Sequence, residues 1–135
     1  MKGSKMSAQK TILVVDDDAD YRFQQRVQLE AAGYKVIEAE SEQSAIAVLD
    51  RERPSLAIID LMMEQMDAGF TLCYYAKKKY SDLPIILVTA VTRETGLEFD
   101  ATTTDERSWI KADVILDKPI RFDQLHREIE RLLEK

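Results

Sequence analysis

The sequence predicts an α/β fold: a doubly wound parallel sheet of five strands with helices on both faces. Two observations carry this. Short apolar runs alternate with helical patterns along the chain, and such runs read as strands buried on both faces. Four of them also lead into polar residues: the Asp16–Asp17 pair after Ile12–Val15, Asp60 after Leu56–Ile59, Thr89 after Ile85–Val88, and Lys118 after Val114–Leu116. Ligands of open parallel sheets bind at the carboxyl ends of the strands. Residues far apart in sequence are therefore expected to meet at one site.

Each element has its own signal. Residues 11–15 form the first strand. A helix over 19–32 follows, with Phe23, Val27 and Ala31 at fourfold spacing, Asp18 and Asp20 as cap and dipole complement, and Gly33 as its stop. Residues 34–39 form the second strand. Ser41 caps a helix through Arg51 whose apolar face is Ala45, Val48 and Leu49. Pro54 ends that region, and residues 56–59 are the third strand. A loop over 61–69 leads into a helix over 70–80. Pro84 opens the fourth strand, and residues 114–116 are the fifth. The last helix spans 122–133 with Phe122, Leu125, Ile129 and Leu132 as its buried stripe. The stretch 92–111 breaks this rhythm. Its first part has poor helical period, and the capping-box spacing of Thr103 and Glu106 predicts a short helix over 104–111.

Composition narrows the function. A chain of 135 residues with 45% hydrophobic residues fits one domain over 11–135, with a flexible lead-in over 1–10. A net charge of -6 without a long basic stretch argues against nucleic acid or an anionic membrane as direct partner. Lys77–Lys79 closes a helix, where cations suit the dipole, and is expected to be a solvated end. The single cysteine, Cys73, excludes an internal disulfide and is expected to be a core residue. No apolar run is long enough for a membrane-spanning helix. A cytoplasmic location is expected. His126, on the last helix, is expected at the surface or the core boundary.

The four strand ends form a chemical set. Two carboxylates about 4 Å apart repel by about 4 kcal/mol at an effective dielectric near 20, so Asp16, Asp17 and Asp60 brought together need a proton, a basic partner or a cation. Magnesium takes hard oxygen ligands and binds through one or two carboxylates plus phosphate oxygens. A carboxylate can attack phosphorus, and an amine and a hydroxyl can hold the remaining phosphoryl oxygens. Singly, each residue also fits a blander role. Asp16–Asp18 can end a strand and cap a helix, Asp60 can cap a turn, Thr89 can cap a helix, and Lys118 can be a surface cation. The set of four points to the chemistry.

The strings ILVVDDDAD, AIIDLMM, IILVTA and ILDKPI, in this order over nearly the whole chain, resemble the receiver domain of bacterial two-component response regulators. The resemblance implies a flavodoxin-like sheet of order 2-1-3-4-5. It implies Asp60 as phosphoacceptor and metal ligand, Asp17 as direct magnesium ligand, Asp16 acting mainly through water, and the Met62 carbonyl as a further ligand. Thr89 and Lys118 would hold phosphoryl oxygens and form the switch, with a cis peptide at Pro119. The implied function is a phosphoacceptor module that takes its phosphoryl group from a sensor histidine kinase or a histidine phosphotransfer protein. It would signal to a downstream protein target by a shift between conformations, with no separate turnover activity, as a monomer or weak dimer. Two rivals stand beside it. One is a phosphorylation-independent interaction module of the same fold. The other is a haloacid-dehalogenase-type phosphatase with Asp16 as nucleophile, suggested by Asp16-x-Asp18.

The sequence departs from the family pattern in four places. Glu64 stands where proline is usual, and the Met66–Gly69 turn has an extra residue. Ile115 replaces the aromatic residue often found three positions before the lysine, so a ring switch is impossible there. Met62 and Val91, at positions that tune hydrolysis, cannot orient water by hydrogen bonding. The span between Thr89 and Lys118 is long, and Leu97, Phe99, Trp109 and Ile110, with Ile115 nearby, are expected to shape an unusual partner surface.

Overall fold

The structure, a computed structural model, describes residues 9–61, 68–89 and 112–134. In chain order the elements are β1 (Thr11–Val15), α1 (Ala19–Ala31), β2 (Lys35–Ala39), α2 (Glu42–Arg51), β3 (Leu56–Asp60), α3 (Ala68–Lys79), β4 (Ile85–Thr89), β5 (Val114–Asp117) and α4 (Phe122–Leu133). All strand pairs are parallel, and the sheet order is β2-β1-β3-β4-β5. The expected boundaries hold within two residues; β3, β4 and β5 each run one residue further, and α3 starts at Ala68 instead of Phe70.

Alternation along the strands splits the core in two, because successive side chains point to opposite faces. Leu13, Val15, Ala57, Ile59, Ile85 and Leu87 pack with Ala45 and Leu49 of α2 and Leu72 and Cys73 of α3. Ile12, Val14, Leu56, Ile58, Ile86 and Val88 pack with Leu29 of α1 and Leu125, Ile129 and Leu132 of α4. Cys73 is wholly buried, and burial pushes its thiol up to about 12, as suits a packing residue. Ser41 caps α2 through a reciprocal box with Ser44, and Gly33 takes φ 101 just past α1, a conformation that favours glycine.

On α1 the periodic apolar residues and the buried face do not coincide. The stripe of Phe23, Val27 and Ala31 on α1 points away from the core: Phe23 is 63% and Val27 49% exposed, and Ala31 is exposed too. The buried residues are Gln25 and Leu29. Amphipathic side chains line the inner side instead: Gln25 Nε2 donates to the Tyr21 hydroxyl, and the half-buried Arg22 pairs with Glu38. The lysine run is also less free than expected. Lys77 pairs with Asp113 at 2.9 Å and Lys79 with Asp50 at 3.4 Å, while Lys78 is exposed.

Candidate functional site: an acidic pocket at the strand ends

The pocket forms where β1, β3, β4 and β5 end together. Parallel register sets this: Ile59 lies beside Val15 and Leu87, Asp60 beside Val88, and Thr89 beside Asp117. The backbone continues the ladder beyond the strands, with Leu61 N–H donating to the Val88 carbonyl at 2.7 Å and Lys118 N–H to the Thr89 carbonyl at 2.8 Å. Asp16, Asp60 and Thr89 are buried, with Asp60 6% exposed; Asp17 is exposed.

Asp16, Asp17 and Asp60 each present a carboxylate oxygen, and these oxygens lie within 4.8 Å of one another. Lys118 reaches in from the end of β5, with its Nζ 3.3 Å from Asp16 Oδ2 and 3.4 Å from Asp60 Oδ1. The Lys118–Pro119 peptide is cis, as the resemblance implies. Asp16 is further fixed by its own turn, where its Oδ1 accepts from Asp18 N–H at 2.9 Å. Its carbonyl accepts from Arg22 Nη1 at 2.6 Å, and that guanidinium is held by Glu38 at 2.9 Å.

Electrostatics follow from the crowding. Burial, reinforced by the Asp16 charge, pushes the Asp60 carboxyl up to about 7; Lys118 pulls against this and Asp17 adds to it. Burial alone would lower the Lys118 ammonium, but Asp60 and Asp16 outweigh it and raise it. One lysine thus leaves the three carboxylates under-neutralised. The set of hard oxygens, one of them at the solvent side, fits a magnesium ion. Bound there, the ion would supply the missing positive charge.

The site brings together Asp16, Asp17, Asp60, Thr89 and Lys118 at one end of the sheet. Asp18 is used otherwise: it caps α1, accepting from the amides of Asp20 and Tyr21. The Met62 carbonyl, Glu64, Val91, the helix over 104–111, and Leu97, Phe99, Trp109 and Ile110 lie outside the described residues. Ile115 is half-buried against the core that α2 and α3 cover. His126 is a boundary residue stacked on Phe122, with its ring centroid 5.4 Å away. Two residues that the motif reading passed over also belong to the pocket. Arg22 grips the Asp16 carbonyl, and the Tyr21 ring lies under Lys118 with its centroid 4.4 Å from Nζ. Their positions in the first turn of α1, after the acidic pair, were the available signal.

Comparison with known proteins agrees with this fold. The family model of the response regulator receiver domain matches residues 12–130. The phosphate regulon transcriptional regulatory protein PhoB of Pseudomonas aeruginosa is 41% identical over 132 residues, covering 93% of this chain and 52% of that protein. The probable transcriptional regulator ycf27 of Porphyridium aerugineum is 35% identical over 128 residues, covering 92% and 48%. The chain thus spans about half the length of these curated relatives. Among solved structures, the response regulator TrrA of Thermotoga maritima, in complex with Mg2+-BeF, aligns with a TM-score of 0.75 at 30% identity, covering 91% of this chain and 98% of that one. A CheY-like receiver domain protein of Methanospirillum hungatei aligns with a TM-score of 0.79 at 25% identity, covering 94% and 95%. With the family model matching residues 12–130 and relatives of 35% and 41% identity covering over nine-tenths of its length, this chain belongs to the response regulator receiver domain family.

Proposed function

We propose that this domain accepts a phosphoryl group on Asp60 in a two-component phosphorelay. The observation that carries this is Lys118 Nζ shared between Asp16 and Asp60 at 3.3 and 3.4 Å, in a pocket where three carboxylates converge. An Asp60 carboxylate oxygen attacks the phosphorus of a phosphohistidine. The new O–P bond forms as the N–P bond breaks, and the imidazole leaves with the bonding electron pair. Lys118 moves from the carboxylates to a phosphoryl oxygen, and the Thr89 hydroxyl donates to another. Asp16, Asp17 and Asp60, with the Met62 carbonyl, would hold Mg2+, which would supply charge neutralisation at the transferred group. The Mg2+-BeF complex of the related TrrA supports this use of the pocket.

The donor is a sensor histidine kinase or a histidine phosphotransfer protein, and the readout is a changed affinity for a downstream protein. The domain assists its own phosphorylation and dephosphorylation without separate turnover. With Ile115 in place of an aromatic ring, the signal runs through Thr89 and the backbone after it. The Met62 and Val91 side chains cannot orient an attacking water by hydrogen bonding, so the aspartyl phosphate is not especially short-lived. No helix among the described residues is long and apolar enough to cross a membrane, in keeping with work in the cytoplasm.

Intact mass after incubation with Mg2+ and acetyl phosphate tests the reading. One added phosphoryl group is expected on the wild type and none on Asp60→Asn or in excess EDTA. No label on the wild type, from acetyl phosphate or from a panel of phosphorylated histidine kinases, would shift the assignment to a phosphorylation-independent module.

A further inference from the structure

Besides the Asp16 and Asp60 carboxylates, a third group among the described residues meets the Lys118 ammonium. The third is the face of Tyr21, whose ring centroid lies 4.4 Å from Nζ, inside the range of a cation–π contact. Tyr21 stands in the first turn of α1, on an element that contributes no acid to the pocket. Its hydroxyl is tied one turn on, where Gln25 Nε2 donates to it at 3.0 Å. Gln25 is only 5% exposed, and its Oε1 finds no partner among the described residues. A buried amide left half-satisfied is a poor choice for packing alone, since an apolar side chain of that volume would avoid the desolvation cost. Its evident task is to fix the ring.

From this we infer that Tyr21 is a positioning residue for Lys118, with Gln25 as its brace; the inference rests on the phosphoacceptor reading. The two carboxylate contacts weaken when a divalent cation and a phosphoryl group occupy Asp16 and Asp60. The ring face does not compete for either ligand. It keeps the ammonium at the pocket while the ammonium exchanges carboxylate oxygens for phosphoryl oxygens. Without the ring, the long lysine stem has more rotamers open to it, and fewer of them place Nζ where the transferred group arrives.

Two measurements on the whole chain test this. The first is the NMR shift of the Lys118 ε-methylene protons in the unphosphorylated protein. The Tyr21 ring current should move them upfield of an ordinary lysine, and Tyr21→Leu should return them. The second is the rate of Asp60 labelling by acetyl phosphate at saturating Mg2+. Tyr21→Leu should slow it about fivefold, within the range of one partly desolvated cation–π contact, and Tyr21→Trp, the strongest such partner, should recover most of the loss. Ordinary ε-proton shifts in the wild type, or wild-type labelling of Tyr21→Leu, would overturn the inference. The shift is read on the wild type, so it decides the placement even where the leucine variant fails to fold. It also separates the two proposals: an unlabelled wild type with shifted ε protons sinks the phosphoacceptor reading and leaves Tyr21 placed at Lys118.

Discussion

Asp60 carries the tension of the site. Its carboxyl is buried at the end of β3, faces Asp16, and shares one lysine with it, so its ionisation is held up to about 7. Without metal, this has a definite consequence for stability. Between about pH 4 and pH 7 the native carboxyl keeps a proton that the unfolded chain has lost, so folding weakens as pH rises through that window. Above it the full penalty applies. Each pH unit between the unfolded and the native ionisation costs about 1.4 kcal/mol, which makes the total a few kcal/mol. Asp60→Asn removes that ionisation. In EDTA, urea unfolding of the wild type should lose stability from pH 5 to pH 8 relative to Asp60→Asn, and the variant should be the more stable of the two at pH 8. Parallel pH profiles for the two proteins would contradict the assignment of the raised carboxyl to Asp60. The strand-end acids were legible in the sequence because each follows an apolar run that fixes where it ends. Tyr21 and Arg22 were not, because their roles depend on which side of α1 faces the pocket, and fourfold spacing does not say which.

The same limit acts on whole elements. In α4 the stripe of Leu125, Ile129 and Leu132 is opposed by charges, so pattern and burial coincide there, with Phe122 of the expected stripe only partly buried at the helix start. In α1 the apolar residues Phe23 and Val27 lie outward, and the inner face is led by Leu29 with a glutamine beside it. The start of α3 shows a different physical rule. Gly69 sits under the end of β3, where its N–H donates to the Leu61 carbonyl at 3.0 Å. A Cβ at this position would lie 2.5 Å from Leu61 Cα and 2.7 Å from the Asp60 carbonyl oxygen, both backbone atoms that cannot step aside cheaply. The glycine thus sets how closely α3 packs beneath Asp60, which a turn signal in the sequence does not reveal. Gly69→Ala should destabilise the fold by about 1–3 kcal/mol, the usual range for overpacking, although alanine is the better helix former. It should also shift the Asp60 and Leu61 amide resonances. A stabilised Gly69→Ala protein would mean that α3 moves off the strand end without cost.

At the scale of the molecule, two apolar clusters cover the two faces of the sheet, and the acidic pocket lies at the sheet's end beyond both. The cores hold the strand ends in register, and the register holds three carboxylates closer than they would choose. The unfolded chain has no such cluster, so a cation that fits the pocket binds the native state and stabilises it by mass action, about 2.7 kcal/mol at a hundredfold excess over its dissociation constant. The exposed Asp17 separates this effect from the packing. Asp16 and Asp60 are buried and tied to Lys118, and removing either would also disturb that pairing. Asp17 faces solvent, so Asp17→Asn should leave metal-free stability within about 0.5 kcal/mol of wild type, as for surface substitutions. The same variant should lose most of the stabilisation by Mg2+. Thermal unfolding with and without Mg2+, wild type beside Asp17→Asn, measures both quantities. A variant that keeps the full Mg2+ response would place the ion away from the three carboxylates. One that loses metal-free stability would show that Asp17 helps hold the fold as well as the ion.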